Sequence, residues 1–258
     1  MIDSFLKSQQ VFIENWANSP DKEFEKSIFS TLKSVNNKIT PFLDYLPEPY
    51  LGNPYKADGV FLNYNPGPIL ELEQHKVNGI FINDYNAIND YQHFAINTPY
   101  FNGKKGFWFD RQFFLSRLLN KPFENTSLFA LEICPFHSSS FKLSALDIFT
   151  ASSYIESNVL KIAEEVAKQS ALKTIISVGK DYYHLFNLLN YKLIKEIDQT
   201  TTIDNWPKNK LGTKINRSIS LWQSPSGGIY LNTWAPGSNK ISSKEFDIII
   251  NNKIINKM

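Results

Sequence analysis

The stretch Gly59-Val60-Phe61-Leu62-Asn63-Tyr64-Asn65-Pro66-Gly67-Pro68 constrains this chain more than any other. Its first half is β-branched, aromatic and aliphatic, the composition of a fully buried strand. Its second half stops at Pro-Gly-Pro, where proline removes a backbone donor and glycine permits a tight turn. A strand over 59–65 therefore ends on a polar amide. In an open α/β sheet, ligands bind outside the carboxyl ends of the strands.

Three further strands fit beside it. Leu128 to Cys134 is a short apolar run closed by Pro135, Thr174 to Val178 is closed by Gly179, and Ile229–Trp234 follows a Ser-Pro-Ser-Gly-Gly turn. That turn and the preceding run Ile219–Trp222 predict a hairpin. Helical spacing appears between the strands. Residues 3–17 place Phe5, Phe12, Ile13 and Trp16 on one side. Ser19-Pro20 then gives a cap and a first-turn proline, followed by Phe24, Ile28, Leu32 and Val35. Helices are also predicted over 106–119, through Tyr154, Val159, Ile162 and Val166, and over 181–189. A capping box, Ser242-x-x-Glu245, opens a last helix with Phe246, Ile249, Ile250 and Ile254 inside. Residues 45–55 read as an ordered loop, 69–105 as loop with short elements, and 196–217 as polar and mostly without periodicity. Alternating strands and helices predict a three-layer α/β/α sandwich with a central, mostly parallel four-stranded sheet. One domain is expected over 1–258, with a helical extension at 1–40, a motif-bearing core at 59–240 and a C-terminal helix at 241–258.

Composition bounds the function. Hydrophobic residues are 42% of the chain, including 20 Phe and 12 Tyr, enough for a large core. A net charge of +2 does not by itself mark a nucleic-acid binder. The single cysteine, Cys134, rules out an intrachain disulfide and suits a reducing compartment. No secretory signal or membrane span is read, so a cytoplasmic protein, with no membrane partner, is expected. GxGxxG, Walker A, HExxH and CxxC are absent, so neither a metal nor another cofactor is expected. Ser139-x-x-Lys142 matches an acylation motif, but its partner motifs are missing.

The strand ends carry related chemistry. The first ends Asn65-Pro66-Gly67, the second Glu132-Ile133-Cys134-Pro135-Phe136-His137, and the last Trp234-Ala235-Pro236-Gly237-Ser238-Asn239-Lys240. In this order the motifs resemble those of the uracil-DNA glycosylase superfamily, nearest its single-strand-selective and mismatch-specific branches. Asn63-Tyr64-Asn65-Pro66-Gly67-Pro68 is similar to the G-x-N-P-G(-P) motif, and Glu132-Ile133-Cys134-Pro135 to Asn-x-Cys-Pro. Thr174 to Lys180 is similar to the third strand, and Ala235-Pro236-Gly237-Ser238 to the His-Pro-Ser or Asn-Pro-Ser loop.

The resemblance implies a monofunctional DNA glycosylase acting as a monomer on a base flipped out of duplex or single-stranded DNA. Asn65 would orient the attacking water, and Pro66-Gly67 would let the backbone approach the substrate. An amide cannot ionise to take the water's proton, so this is weaker catalysis than an Asp would give. Two positions depart from the family. Glu132 replaces an Asn that reads uracil. Its carboxylate would repel a uracil carbonyl and accept from the cytosine amine, or, if burial raises its pKa, donate a proton to the ring. Ala235 replaces a His or Asn that stabilises the leaving base, a role His137 could take. Ala235, Gly67 and Gly237 leave room for a bulky substituent, as in anti-phage relatives that remove glucosylated hydroxymethylcytosine. Tyr64, Phe81 and Trp234 are candidates to stack on the base, with Cys134 beside it. Gly237, Ser238, Asn239, Lys240, Lys214 and Arg217 could hold DNA phosphates.

Blander readings stay open at each position. Asn65 could cap a turn, Glu132 could pair with Arg111, and His137 and the aromatics could be core. The lysines could be solvated. The whole chain could be a catalytically silent nucleic-acid- or nucleotide-binding member of the fold, or an unrelated flavodoxin-like enzyme using His137 or Glu132 as a base.

Overall fold

The computed structural model describes residues 1–26, 46–64, 89–97, 107–137, 145–198, 217–234, 247–249 and 254–255. The protein is α/β. Its strands are β1 (Tyr50–Leu51), β2 (Gly59–Asn63), β3 (Leu128–Glu132), β4 (Thr174–Val178), β5 (Lys192–Asp198), β6 (Ser218–Gln223) and β7 (Ile229–Trp234). They form one sheet in the order β1-β3-β2-β4-β7-β6-β5. Strands β3, β2, β4 and β7 run parallel. The chain leaves β2 for β3 on one side and reaches β4 on the other. The strand order therefore reverses at β2, the kind of switch point that opens a crevice at the carboxyl edge.

The sheet is seven-stranded and mixed, which corrects the four-stranded, mostly parallel sheet predicted from sequence. The three additional strands are antiparallel. β1 is two residues inside the proline-rich 45–55 stretch, too short for a periodic signal. β5 is exposed at its first five positions, so no buried alternation marks it. Its lysines suit the edge of the sheet, where no described strand pairs beyond it. β6 is the expected hairpin partner of β7.

Every residue of β2, β3 and β4 is buried, as parallel strands covered on both faces require. Alternate side chains feed two cores. Val60, Leu62, Phe129 and Ile175 belong to one. It also takes residues of α1 (Ile2–Asn18), α6 (Lys161–Gln169) and α7 (Lys180–Leu188). Phe61, Ala130, Ile176 and Leu231 belong to the other, with Phe114 and Leu115 of α4 (Phe107–Leu119) and with Ile248 and Ile249. Helix α1 is part of the first core: Ile13 and Trp16 are buried, and Phe5 packs on Tyr50 with ring centroids 5.5 Å apart. Its end at Ser19 and the start of α2 (Pro20–Lys26) follow the Ser19-Pro20 signal. Helix α3 (Tyr91–Asn97) is a short element within the stretch 69–105, read from sequence as loop with short elements. The helix predicted around Tyr154–Val166 is longer than expected. It runs as α5 (Ala145–Ile155), a π turn (Glu156–Leu160) and α6. Most of the second helix's apolar face and of the C-terminal helix lies outside the described residues. Among the described residues, no helix is long and apolar enough to cross a membrane.

The turn from β4 into α7 depends on Gly179. Its φ is +132°, and a Cβ there would lie 1.9 Å from Tyr64 Oη. That oxygen cannot easily move. It accepts a 3.1 Å hydrogen bond from the Asp181 N–H, and its ring is stacked on Tyr182 at 4.9 Å. Gly179→Ala should therefore lose about 2–4 kcal/mol, combining a disfavoured φ with overpacking. Urea denaturation against the parent chain checks this.

Candidate functional site

The parallel register places the last residues of β2 and β3 side by side, with Asn63 opposite Glu132. Both side chains lie on the sheet face covered by α4, which supplies Arg111. Arg111 Nε donates to Asn63 Oδ1 at 3.1 Å, and Asn63 Nδ2 donates to Glu132 Oε1 at 3.2 Å. One amide thus links a guanidinium to a carboxyl group. All three residues are buried. The Asn63 carbonyl is held as well, accepting 2.7 Å from Tyr182 Oη of α7 and 3.0 Å from the Ile133 N–H.

Arg111 can occupy an apolar layer because its charge lies over an aromatic face. Its guanidinium carbon is 3.3 Å from the Phe107 ring centroid. Burial lowers the guanidinium to about 9, with the Glu132 carboxylate acting in the opposite direction, so it is a cation at neutral pH. Burial pushes the Glu132 carboxyl well above its usual range. Glu48 adds to the shift, whereas Arg111 and the Asn63 hydrogen bond oppose it. Glu132 Oε2 is buried and has no hydrogen-bond partner among the described residues.

A second pair adjoins the first. Glu48 and His137 are buried with Oε1 and Nε2 3.5 Å apart. Their segments are joined by the backbone: the Glu132 N–H donates to Pro49 O at 3.1 Å, and the Glu48 N–H to Pro135 O at 2.8 Å.

The structure therefore brings Glu132, His137 and Cys134 to the carboxyl end of β3, beside Tyr64 at the end of β2. Cys134 is a core side chain whose thiol burial pushes up to about 12, so it is no nucleophile at neutral pH. Tyr64 has one ring face covered by Tyr182. Trp234, at the end of β7, is half-buried, and the Lys180 ammonium sits 5.5 Å from its ring centroid. Arg217 precedes Ser218, which pairs with Trp234, so it belongs to the same edge. Asn65, Pro66, Gly67, Phe81, Lys214, Ala235, Gly237, Ser238, Asn239 and Lys240 lie outside the described residues.

Sequence reasoning missed Asn63, Glu48, Lys180 and Tyr182 as members of this edge. Asn63 sat inside the quoted motif, but attention went to Asn65. Glu48 was concealed between prolines in a stretch read as loop. The direct Glu132–Arg111 pair considered from sequence takes a different form here, because Asn63 stands between the two groups. Among the described residues no group of three or more His, Cys, Asp or Glu side chains could hold a metal. Comparisons with protein-family models, curated proteins and solved structures found no match.

A carboxyl that binds its proton more tightly folded than unfolded makes stability fall as pH rises from its unfolded value, near 4.5, toward its folded one. Gln mimics the neutral acid and cannot ionise. Glu132→Gln should match the parent chain at about pH 4 and exceed its stability at about pH 8. Urea midpoints at the two pH values check this.

Proposed function

We propose that the protein is a DNA glycosylase that hydrolyses the N-glycosidic bond of a flipped, cytosine-derived base, including bulky or glucosylated hydroxymethylcytosine of phage DNA, and leaves an abasic site. The observation that carries the reading is the buried Glu132 at the carboxyl edge of parallel strands, its carboxyl pushed above the usual range by burial. Two residues after Asn63, the chain reaches Asn65-Pro66-Gly67. On this reading β3, β2, β4 and β7 form a uracil-DNA glycosylase-like core, and β1, β5 and β6 are additions to it.

Bond cleavage builds positive charge on the sugar and sends the C1′–N electron pair onto the base. Glu132, as the neutral acid, would give its proton to the base as that pair arrives. Asn65 would hold the water whose oxygen bonds to C1′, and the water's proton would leave through solvent and restore Glu132. This supplies by proton transfer what Ala235 cannot supply by hydrogen bonding. His137 is turned toward Glu48, so its part is indirect. Lys180 and Arg217 would meet phosphates at the same edge, joined by Lys214 and the Gly237-Ser238-Asn239-Lys240 segment. Trp234 would stack on the base.

Ala235 favours a second reading, in which the chain binds nucleic acid without cutting the bond. One experiment separates the two. Labelled oligonucleotides carrying uracil, cytosine, hydroxymethylcytosine or its glucosylated form are incubated with the protein and treated with alkali. Breaks are expected at the modified cytosines, reduced about 100-fold or more in Glu132→Gln and in Asn65→Ala. Binding without breaks on any substrate would favour the silent reading. Equal or faster cutting at uracil would overturn the cytosine preference.

A further inference from the structure

Glu48 has no place in the scheme so far, yet it is one of only a few buried carboxyl groups in the described structure. It is 3% exposed, and its Oε1 makes no hydrogen bond with a described residue. Its backbone is sewn to the exit of β3 on one side of Pro49, and Glu132 is sewn to Pro49 itself. Taking such a group out of water as an ion costs several kcal/mol unless other charges compensate.

We propose that Glu48 is a positioning residue of the site: paired with the His137 imidazole on a segment hydrogen-bonded to the Glu132 backbone, it holds Glu132 as the neutral acid, so that Oε2 offers a hydrogen-bond donor to the bound ring. This rests on, and deepens, the glycosylase reading. The groups acting on Glu132 come from every side. Glu48 precedes β1, Arg111 comes from α4, Tyr182 from α7, and Asn63 from β2. Tyr91 of α3 and Cys134 are also within electrostatic reach. The tyrosines and the thiol carry no charge at neutral pH, because burial pushes all three upward. The contest therefore lies between Arg111, which favours the carboxylate, and Glu48 with burial, which favour the acid. Arg111 reaches Glu132 through an amide, one bond further than a direct pair. Glu132 Oε1 receives a single hydrogen bond, and Oε2 receives none from the described residues. Those are the conditions under which like charge and desolvation prevail.

The consequence is chemical selectivity. A carboxylate would select a ring edge that donates, whereas the neutral acid selects a ring atom that accepts, such as the unprotonated ring nitrogen that cytosine has and uracil lacks. Glu132 would accept from Asn63 with one oxygen and donate with the other. The recognised feature of a cytosine-derived base is then its acceptor edge, and protonating that edge is the same event that helps the base leave.

The test needs no DNA, so its outcome is independent of whether the chain cuts any base. The full-length protein is labelled with [5-¹³C]glutamate. The Glu132 carboxyl signal is assigned by its loss in Glu132→Gln and followed through a pH titration. In the parent chain this signal should report the protonated form at about pH 7. In Glu48→Gln its midpoint should fall by about one pH unit or more, a tenfold change in proton affinity. In Glu48→Asp, which keeps the charge, the midpoint should stay high. A merely structural Glu48 would change stability and leave the midpoint in place, and that result overturns the proposal. An ionised Glu132 in the parent chain at about pH 7 overturns it without any variant at position 48.

Discussion

A buried carboxyl group at the end of a parallel strand is the constraint on which this edge of the molecule depends. Glu132 emerges from an apolar run, Leu128–Glu132, that is covered on both faces and therefore draws its last residue out of water. Desolvation of the charged form is the largest influence on the group. The surroundings meet that cost with an amide from β2 and a guanidinium from α4, while Glu48 adds to it. Each partner is itself anchored. Asn63 is held at its carbonyl by Tyr182, and Arg111 lies on the face of Phe107. Removing any one member would leave a buried polar group unmatched, a cost of about 1–3 kcal/mol or more.

The opposite edge of the sheet sets the register that makes this possible. Asp58, just before β2, accepts from the Ser127 N–H at 2.9 Å and pairs with Lys121 at 2.7 Å. Its carbonyl accepts from the Leu172 N–H at 2.7 Å. One residue thus fixes the starts of β2, β3 and β4 relative to one another. Equal strand lengths of five residues then bring Asn63, Glu132 and Val178 to the far edge together. A slip of one position would turn Glu132 to the other face of the sheet, away from Arg111.

Much of this was legible in the residues. Uninterrupted apolar runs closed by Pro135 and Gly179 marked β3 and β4, because strands buried on both faces need no polar alternation. The Ser-Pro-Ser-Gly-Gly turn marked the β6–β7 hairpin, and helical spacing of Phe5, Ile13 and Trp16 marked α1. Less was legible where the signal depended on partners distant in sequence. Two-residue β1 exists because Tyr50 and Leu51 find Leu131 and Ala130 across the sheet. Solvent-facing β5 exists because β6 offers it an edge.

The sequence by itself determined that the chain is α/β, that its buried strands end in polar residues and turns, and that a carboxyl group stands at residue 132. Those are local properties, fixed by hydrophobic runs, by proline and glycine, and by side-chain chemistry. Only the tertiary structure decided that the sheet has seven strands, that Asn63 stands between Arg111 and Glu132, and that Glu48 arrives beside them from a proline-rich stretch. These depend on which distant segments share one dry volume. Whether a carboxyl group in such a volume keeps its proton is set by its neighbours and by the absence of water, neither of which is written at its own position.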